Sequence, residues 1–508
     1  MTPALSQRFR APEMPNASRE TIYALSSGRP PAAIAVVRIS GPGAGAALTA
    51  LMGKVPEPRK AALARVRSGD GEIIDQALAL WFPGPHSETG EDVAELQLHG
   101  GHAVVTAVFA ALAQVDGLRP AEAGEFTRRA FENGKVDLTA VEGLADLVKA
   151  ETEGQRRQAF RQMAGGLRDR SDNWRTKLIQ ALALVEARID FSDEADVPQD
   201  LVAPALQIAR SLEGDIASVL AQGNRGERLR EGLVVAIAGP PNAGKSMLLN
   251  RIAKREVAIV SPYAGTTRDV IEVHLDLLGL PVTLLDTAGI RETDDPVERE
   301  GVRRARIRAA AADLVLWVVE AGDATRVADN GETGRVTCLS SCESGQVPVW
   351  LIRNKIDLQQ GVSQRNERQI QSKGKSERSV RVNEPLRNVV KKTLTEKSEI
   401  EFTFSESEFA ISAKTGEGLD TLLDALAQHA KSFLAGTESM LVTRERHRLA
   451  LQDAREALHR ALTPDLSSHE DLLAEELRLA ARALGRLTGR VDVDDILDVI
   501  FRDFCIGK

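Results

Sequence analysis

The run Gly239-Pro240-Pro241-Asn242-Ala243-Gly244-Lys245-Ser246 has the composition and spacing of a loop that cradles phosphates. Its glycines let backbone N–H groups approach an anion, Lys245 is placed to reach β and γ phosphates, and Ser246 to ligate magnesium. A lone match of this kind is also a simple Gly/Pro turn, so three further elements in the right order carry the argument. Asp286-Thr287-Ala288-Gly289 places an acid near a magnesium shell and a glycine where a γ phosphate is sensed. Gly265-Thr266-Thr267-Arg268-Asp269 offers Thr267 as a second magnesium ligand, so the pair of segments distinguishes two nucleotide states. Asn354-Lys355-Ile356-Asp357 reads as a guanine-recognition run. The Asp357 carboxylate accepts the N1 and amino protons, Asn354 contacts another base edge, and Lys355 covers the base or braces the phosphate loop. Ser412-Ala413-Lys414 follows as the last loop of the site. Ile290, after Gly289, has no proton-accepting side chain, so another group must orient water; Asp294, Asp295 and Glu298 are close in sequence.

These loops need strands and helices to hold them. The apolar run Leu233 to Ala238 precedes the phosphate loop, and Leu248, Leu249 and Ile252 follow it with helical spacing. Val282–Leu285, Leu314–Val319 and Val347–Ile352 then alternate with helical stretches, as a nucleotide-binding α/β sheet over 232–430 requires. Upstream, residues 1–20 read as a flexible extension. Ile34–Ile39, Ile73–Phe82 and Val93–Leu98 are strand candidates, with helices at Ala44–Leu51 and Val104–Leu112, in a mixed α/β domain over 21–120. Helical signals run through much of Arg128–Arg188 and resume over Leu201–Val219, giving a first helical part at 121–231; Arg444–Leu462 and Asp471–Leu487 give a second at 431–508. The nucleotide module is thus an insertion between two parts of one helical domain. Residues 363–400 hold ten Lys/Arg and five Asp/Glu without interleaved aromatics, so the 360–405 insertion reads as a solvated loop more than an RNA-binding arm.

With 508 residues the chain calls for several domains, and 43% hydrophobic with 27% charged residues describes a water-soluble globular protein. A formal charge of -8 excludes a generally basic nucleic-acid wrapper. No run of about 18 apolar residues suggests a membrane span. Cys338, Cys342 and Cys505 define neither a disulfide framework nor a zinc site, consistent with the cytoplasm.

The combined pattern resembles the MnmE/TrmE family of potassium-activated, tRNA-modifying GTPases over nearly the whole chain. Besides the nucleotide elements, the resemblance rests on Glu91-Asp92-Val93-Ala94-Glu95-Leu96, Gly124 to Phe131, Asn133 to Leu138 and the terminal Phe504-Cys505-Ile506-Gly507-Lys508. It implies a tetrahydrofolate-binding domain that dimerises, a discontinuous helical domain and an inserted Ras-like P-loop GTPase domain. It also implies K+ held at Asn242, Ser261, Tyr263 and Thr266, where it supplies the positive charge another GTPase takes from an arginine. Glu298 is the family's water-orienting glutamate. Arg38, Glu95, Lys135 and Lys508 are assigned to folate, and Cys505 to the modification chemistry on a catalytic C-terminal tail. Met247 stands where a second serine is common, Glu88 where an aromatic is common, and Ala123 where proline is usual.

The resemblance therefore implies Mg2+- and K+-dependent GTP hydrolysis in 5-aminomethyl or 5-carboxymethylaminomethyl modification of the tRNA wobble uridine. The implied partners are a second copy of the chain and the FAD-dependent MnmG/GidA protein, with 5,10-methylenetetrahydrofolate or a related tetrahydrofolate as carbon donor. Competing classes are a regulatory GTPase whose folate domain no longer supports modification, a ribosome-assembly switch, and a dimerisation scaffold. A lost wobble modification on deletion, ribosomal-subunit association without flavin-partner binding, and assembly indifferent to the nucleotide site would respectively separate them.

Overall fold

A computed structural model describes residues 20–190, 201–221, 225–240, 242–259, 272–286, 312–321, 346–358, 401–436, 440–463, 469–491, 500, 501, 504 and 507. The chain forms two compact units, 1–145 with 163–212 and 453–508, and 146–162 with 213–452. Helices from the interval 121–231 fall into both.

The first unit is built on β1 (Thr21–Leu25), β2 (Ile34–Ser40), β3 (Ala62–Arg67), β4 (Ile73–Phe82), β5 (Val93–His99) and β6 (Leu118–Pro120). They lie in the order β3-β4-β5-β2-β1-β6, antiparallel except for β1 with β6. Strict alternation sends Ala35, Val37 and Ile39 of β2 into the core and leaves Ile34, Val36 and Arg38 on the other face. Helices α1 (Ala44–Met52) and α2 (His102–Leu112) cover the apolar face with Ala47, Leu48, Leu51, Val108 and Leu112, the one-sided burial an antiparallel sheet permits.

The long helical region expected from Arg128 to Arg188 is four helices: α3 (Glu125–Glu132), α4 (Leu138–Lys149), α5 (Glu153–Met163) and α6 (Gly166–Asp190). The breaks have local causes. Gly134 and Gly165 adopt φ of 66° and 95°, where only glycine rests without strain. Asp137 caps α4 by accepting the Thr139 N–H at 2.8 Å, and the Thr152 N–H donates to Gln155 Oε1 at 3.2 Å at the start of α5. Helices α7 (Val202–Leu220) and α8 (Arg225–Glu231) lead to the second sheet.

That sheet comprises β7 (Leu233–Ala238), β8 (Glu272–Leu277), β9 (Leu280–Asp286), β10 (Leu314–Glu320), β11 (Gln346–Asn354) and β12 (Glu401–Ala410), with α9 (Lys245–Ile252) and α10 (Leu419–Phe433). Its order, β12-β11-β10-β7-β9-β8, is parallel throughout except for β8 against β9, the arrangement of a Ras-like module. β7 and β10 are apolar on both faces, which is why they read as unbroken hydrophobic runs. β12 opens at Glu401, so the last residues of the charged 360–405 interval are strand.

After the sheet come α11 (Glu445–Ala461) and α12 (Glu470–Thr488). Within the first unit α12 runs antiparallel along α6, joined by Arg490–Asp172 at 2.9 Å, Arg478–Glu186 at 3.0 Å and Arg188–Glu470 at 3.2 Å. Leu178, Ala181 and Val185 of α6, and Leu473, Leu477 and Leu484 of α12, are buried. Among the described residues no helix is long and apolar enough to cross a membrane.

Candidate nucleotide site

The phosphate loop leaves the centre of the parallel sheet, where β7 lies between β10 and β9 and ends against α9. Two of its glycines are required by close approach. A Cβ on Gly239 would run into the Val318 carbonyl, and one on Gly244 into Asn354 Nδ2. Asn242 between them has φ 65°, a conformation asparagine tolerates better than most residues. Lys245 donates from Nζ to the carbonyls of Gly239 and Pro240, both at 2.9 Å. Burial lowers its ammonium pKa, opposed by the Asp286 carboxylate nearby, so the lysine is a desolvated cation aimed along its own loop. Ser246 Oγ donates to Asp286 Oδ2 at 2.6 Å, bringing together one hydroxyl and one nearly buried carboxylate from α9 and β9. Hard oxygen donors at the mouth of a phosphate loop fit magnesium. Met247 is 55% exposed and lies outside this contact.

The guanine-side residues are joined to that loop through Asn354, which is 1% exposed. Its Nδ2 donates to the Ala243 carbonyl at 2.8 Å, and its Oδ1 accepts the Ala413 N–H at 2.9 Å. Asn354 is therefore an internal brace between the phosphate loop and the 412–414 loop. Ser412, fully buried, donates from Oγ to Asp357 Oδ1 at 2.7 Å and accepts the Thr415 N–H at 3.1 Å, which fixes the orientation of the aspartate. Lys355 has φ 67°, and its Nζ lies 2.9 Å from Glu320 Oε2, so its head group is held on the β10 side and does not brace the phosphate loop. Lys414 is exposed. Thr287, Ala288, Gly289, Ser261, Tyr263, Thr266, Thr267 and Glu298 lie outside the described residues, as do Cys505 and Lys508. Of the four residues assigned to potassium, Asn242 alone is described.

In the first unit, Arg38 and Glu95 are cross-strand neighbours on β2 and β5, paired at 2.9 Å. Arg38 also reaches Glu88 at 2.7 Å and lies 5.9 Å from the Phe126 ring centre. The acid at position 88 thus engages the same guanidinium. Lys135 donates to the Pro85 carbonyl at 2.8 Å. Charge of both signs at Arg38, Glu95 and Lys135 suits a ligand that carries carboxylates and a hydrogen-bonding ring. The C-terminal tail docks onto the unit: Ser26 Oγ donates to the Gly507 carbonyl at 2.7 Å, and Phe501 packs with Leu138 and Val141. Gly507 sits at φ 100°, and a Cβ there would meet the Leu25 carbonyl.

Two features escaped the sequence reading. Glu320 could have been found as an acid closing an apolar strand level with Asn354. The second is a nearly buried cluster of Glu91, Glu125 and Arg129 with half-buried Arg119, in which Arg129 lies 3.0 Å from Glu91 and 2.9 Å from Glu125. Glu91, Glu125 and Arg129 lie in family motifs and Arg119 in none, and nothing local reveals which charges meet.

The family model for the MnmE helical domain matches residues 138–505, and that for the GTP-binding protein TrmE N-terminus matches residues 21–135. The tRNA modification GTPase MnmE of Bradyrhizobium sp. (strain ORS 278) is 55% identical over 490 residues, 96% of this chain and 99% of that one. Its namesakes from Rhodopseudomonas palustris (strain BisB5) and Parvibaculum lavamentivorans are 54% and 49% identical over 492 residues each. They cover 97% and 96% of this chain, and 99% and 100% of their own. Two family models, near-complete relatives and a phosphate loop tied to a guanine-type loop lead to one assignment: the chain belongs to the MnmE family of tRNA modification GTPases.

Proposed function

We propose that this chain is a potassium-activated GTP hydrolase that takes part in 5-aminomethyl or 5-carboxymethylaminomethyl modification of the tRNA wobble uridine in the cytoplasm. It acts as a homodimer with the FAD-dependent MnmG/GidA protein and a methylene-tetrahydrofolate carbon donor. The observation that carries the nucleotide half of this reading is the Asn354 brace, which makes the phosphate loop and the Asp357 loop one assembly.

In that reading the backbone of Asn242 to Ser246 binds the phosphates and Lys245 neutralises charge at the β and γ positions. Asp357, oriented by Ser412, accepts the guanine N1 and amino protons, beside Ala413 and Lys414. Glu298 orients the attacking water, since Ile290 has no group to do so. Ser246 and Thr267, with Asp286, would hold magnesium, and Asn242, Ser261, Tyr263 and Thr266 potassium; both cations would supply positive charge against the phosphates, with Thr287, Ala288 and Gly289 also assigned to the nucleotide. Arg38, Glu95, Lys135 and Lys508 bind folate at the N-terminal sheet, and Cys505 serves the modification. The corresponding division is 21–120, a helical domain of 121–231 with 431–508, and the GTPase at 232–430.

The test is GTP turnover by the full chain with magnesium at matched ionic strength in potassium and in sodium, alongside mass analysis of wobble uridine. A potassium-specific rise that Asn242→Ala abolishes, with modification lost in Glu298→Ala, is expected. Equal turnover in the two salts refutes the potassium assignment, and intact modification without GTP hydrolysis refutes the coupling.

A further inference from the structure

We propose that Glu320 is a positioning residue for guanine nucleotides, holding the Lys355 side chain as a fixed lid on the base side of the site. This rests on the nucleotide reading above and concerns how tightly that site retains its ligand. β10 and β11 run parallel, and Glu320 opposite Asn354 is their last register pair. The Ala321 N–H donates to the Asn354 carbonyl at 2.8 Å, which closes the sheet end just before the chain turns. At Lys355 the backbone is left-handed, with φ 67°, so the residue leaves the strand's alternation. Its ammonium reaches back to β10, where Glu320 Oε2 holds it at 2.9 Å.

Three further facts give this pair a role. Each polar atom of Asn354 makes one bond of the brace, which fixes the 354–357 run against the phosphate loop and the 412–414 loop. Lys245 has its own partners on the phosphate side, so the two lysines of the site serve opposite ends of a nucleotide. The side chains of Lys355 and Glu320 are 31% and 35% exposed, so the pair lies at the solvent edge, and four methylenes span the interval from the Lys355 backbone to its ammonium. A lysine stem pinned at both ends offers an apolar face to a purine. Released from Glu320, the same stem regains its rotamer freedom and must be ordered each time a nucleotide binds.

An exposed ion pair is screened by salt, and that separates positioning from plain structural support. Release of a fluorescent GDP analogue from full-length wild type, Glu320→Gln and Glu320→Asp is followed at low and high ionic strength. Glu320→Gln is expected to release GDP roughly two- to fivefold faster at low salt, with the difference shrinking as salt rises and with partial rescue in Glu320→Asp. Release equal to wild type at low salt, or a change that is independent of salt and accompanied by a lower melting temperature, overturns the proposal. Failure of wild type itself to retain guanine nucleotide overturns the nucleotide reading, which distinguishes the two.

Discussion

Asn354→Ala removes a side chain that ties the phosphate loop to the loop of Ser412 and Ala413. The substitution takes away two hydrogen bonds, at 2.8 Å and 2.9 Å, and leaves their partners on Ala243 and Ala413, residues only 2% and 3% exposed. A buried polar group left unpaired costs about 1–3 kcal/mol, so with some relaxation the pair comes to roughly 3 kcal/mol. Roughly two decades of nucleotide affinity correspond to that figure, less whatever share appears as lower stability of the second unit. The assay is equilibrium binding of GDP and inosine diphosphate, which lacks the exocyclic amino group, to wild type and Asn354→Ala, with thermal melting in parallel. A brace weakens both nucleotides equally, whereas Asp357→Asn erases the preference between them. A loss confined to GDP would put Asn354 on the exocyclic amino group, and affinity within twofold of wild type would refute the brace. Gly244→Ala tests the same contact from the other side, because its Cβ meets Asn354 Nδ2.

The Glu125 carboxyl offers a pH-dependent test in the first unit. Burial pushes it up, but Arg119, the Glu122 N–H and Arg129 outweigh that and hold it at about 2, against an ordinary value of 4.5. A depressed carboxyl stabilises the fold fully above about pH 4.5, and this is lost as pH falls toward 2. The difference amounts to roughly 3 kcal/mol, so the gap in stability between wild type and Glu125→Gln, measured by denaturant melts, is expected to narrow as pH falls through that window. Gly507→Ala is expected to undock the C-terminal tail, read as faster carboxypeptidase trimming and reduced tRNA modification, since the added Cβ collides with the Leu25 carbonyl.

Much of the second sheet was legible because its strands are buried on both faces and write themselves as apolar runs: Leu233–Ala238 and Leu314–Val319 are nearly the observed β7 and β10. The helical interval was legible in kind and not in number. Helical periodicity persists across Gly134 and Gly165, whose positive φ helps break the run, as do the caps at Asp137 and Thr152. Arg38 and Glu95 were picked out singly, yet 57 residues separate them in the chain and strand register alone makes them partners.

The sequence by itself determined the order of the phosphate, magnesium and guanine elements, because each depends on residue types at short fixed spacings around one turn. It likewise determined the membership of the chain in its family, through motifs spread from Glu91 to the C-terminal end. Tertiary structure decided what those residues do to one another. Asn354 became a brace because β11 ends beside both the phosphate loop and the 412–414 loop. Lys355 was turned to Glu320 because parallel pairing ends β10 level with Asn354, one residue before it, and Gly507 met Leu25 because the chain at Gly507 returns to β1. Contacts between distant segments follow from register and packing, which no local spacing encodes.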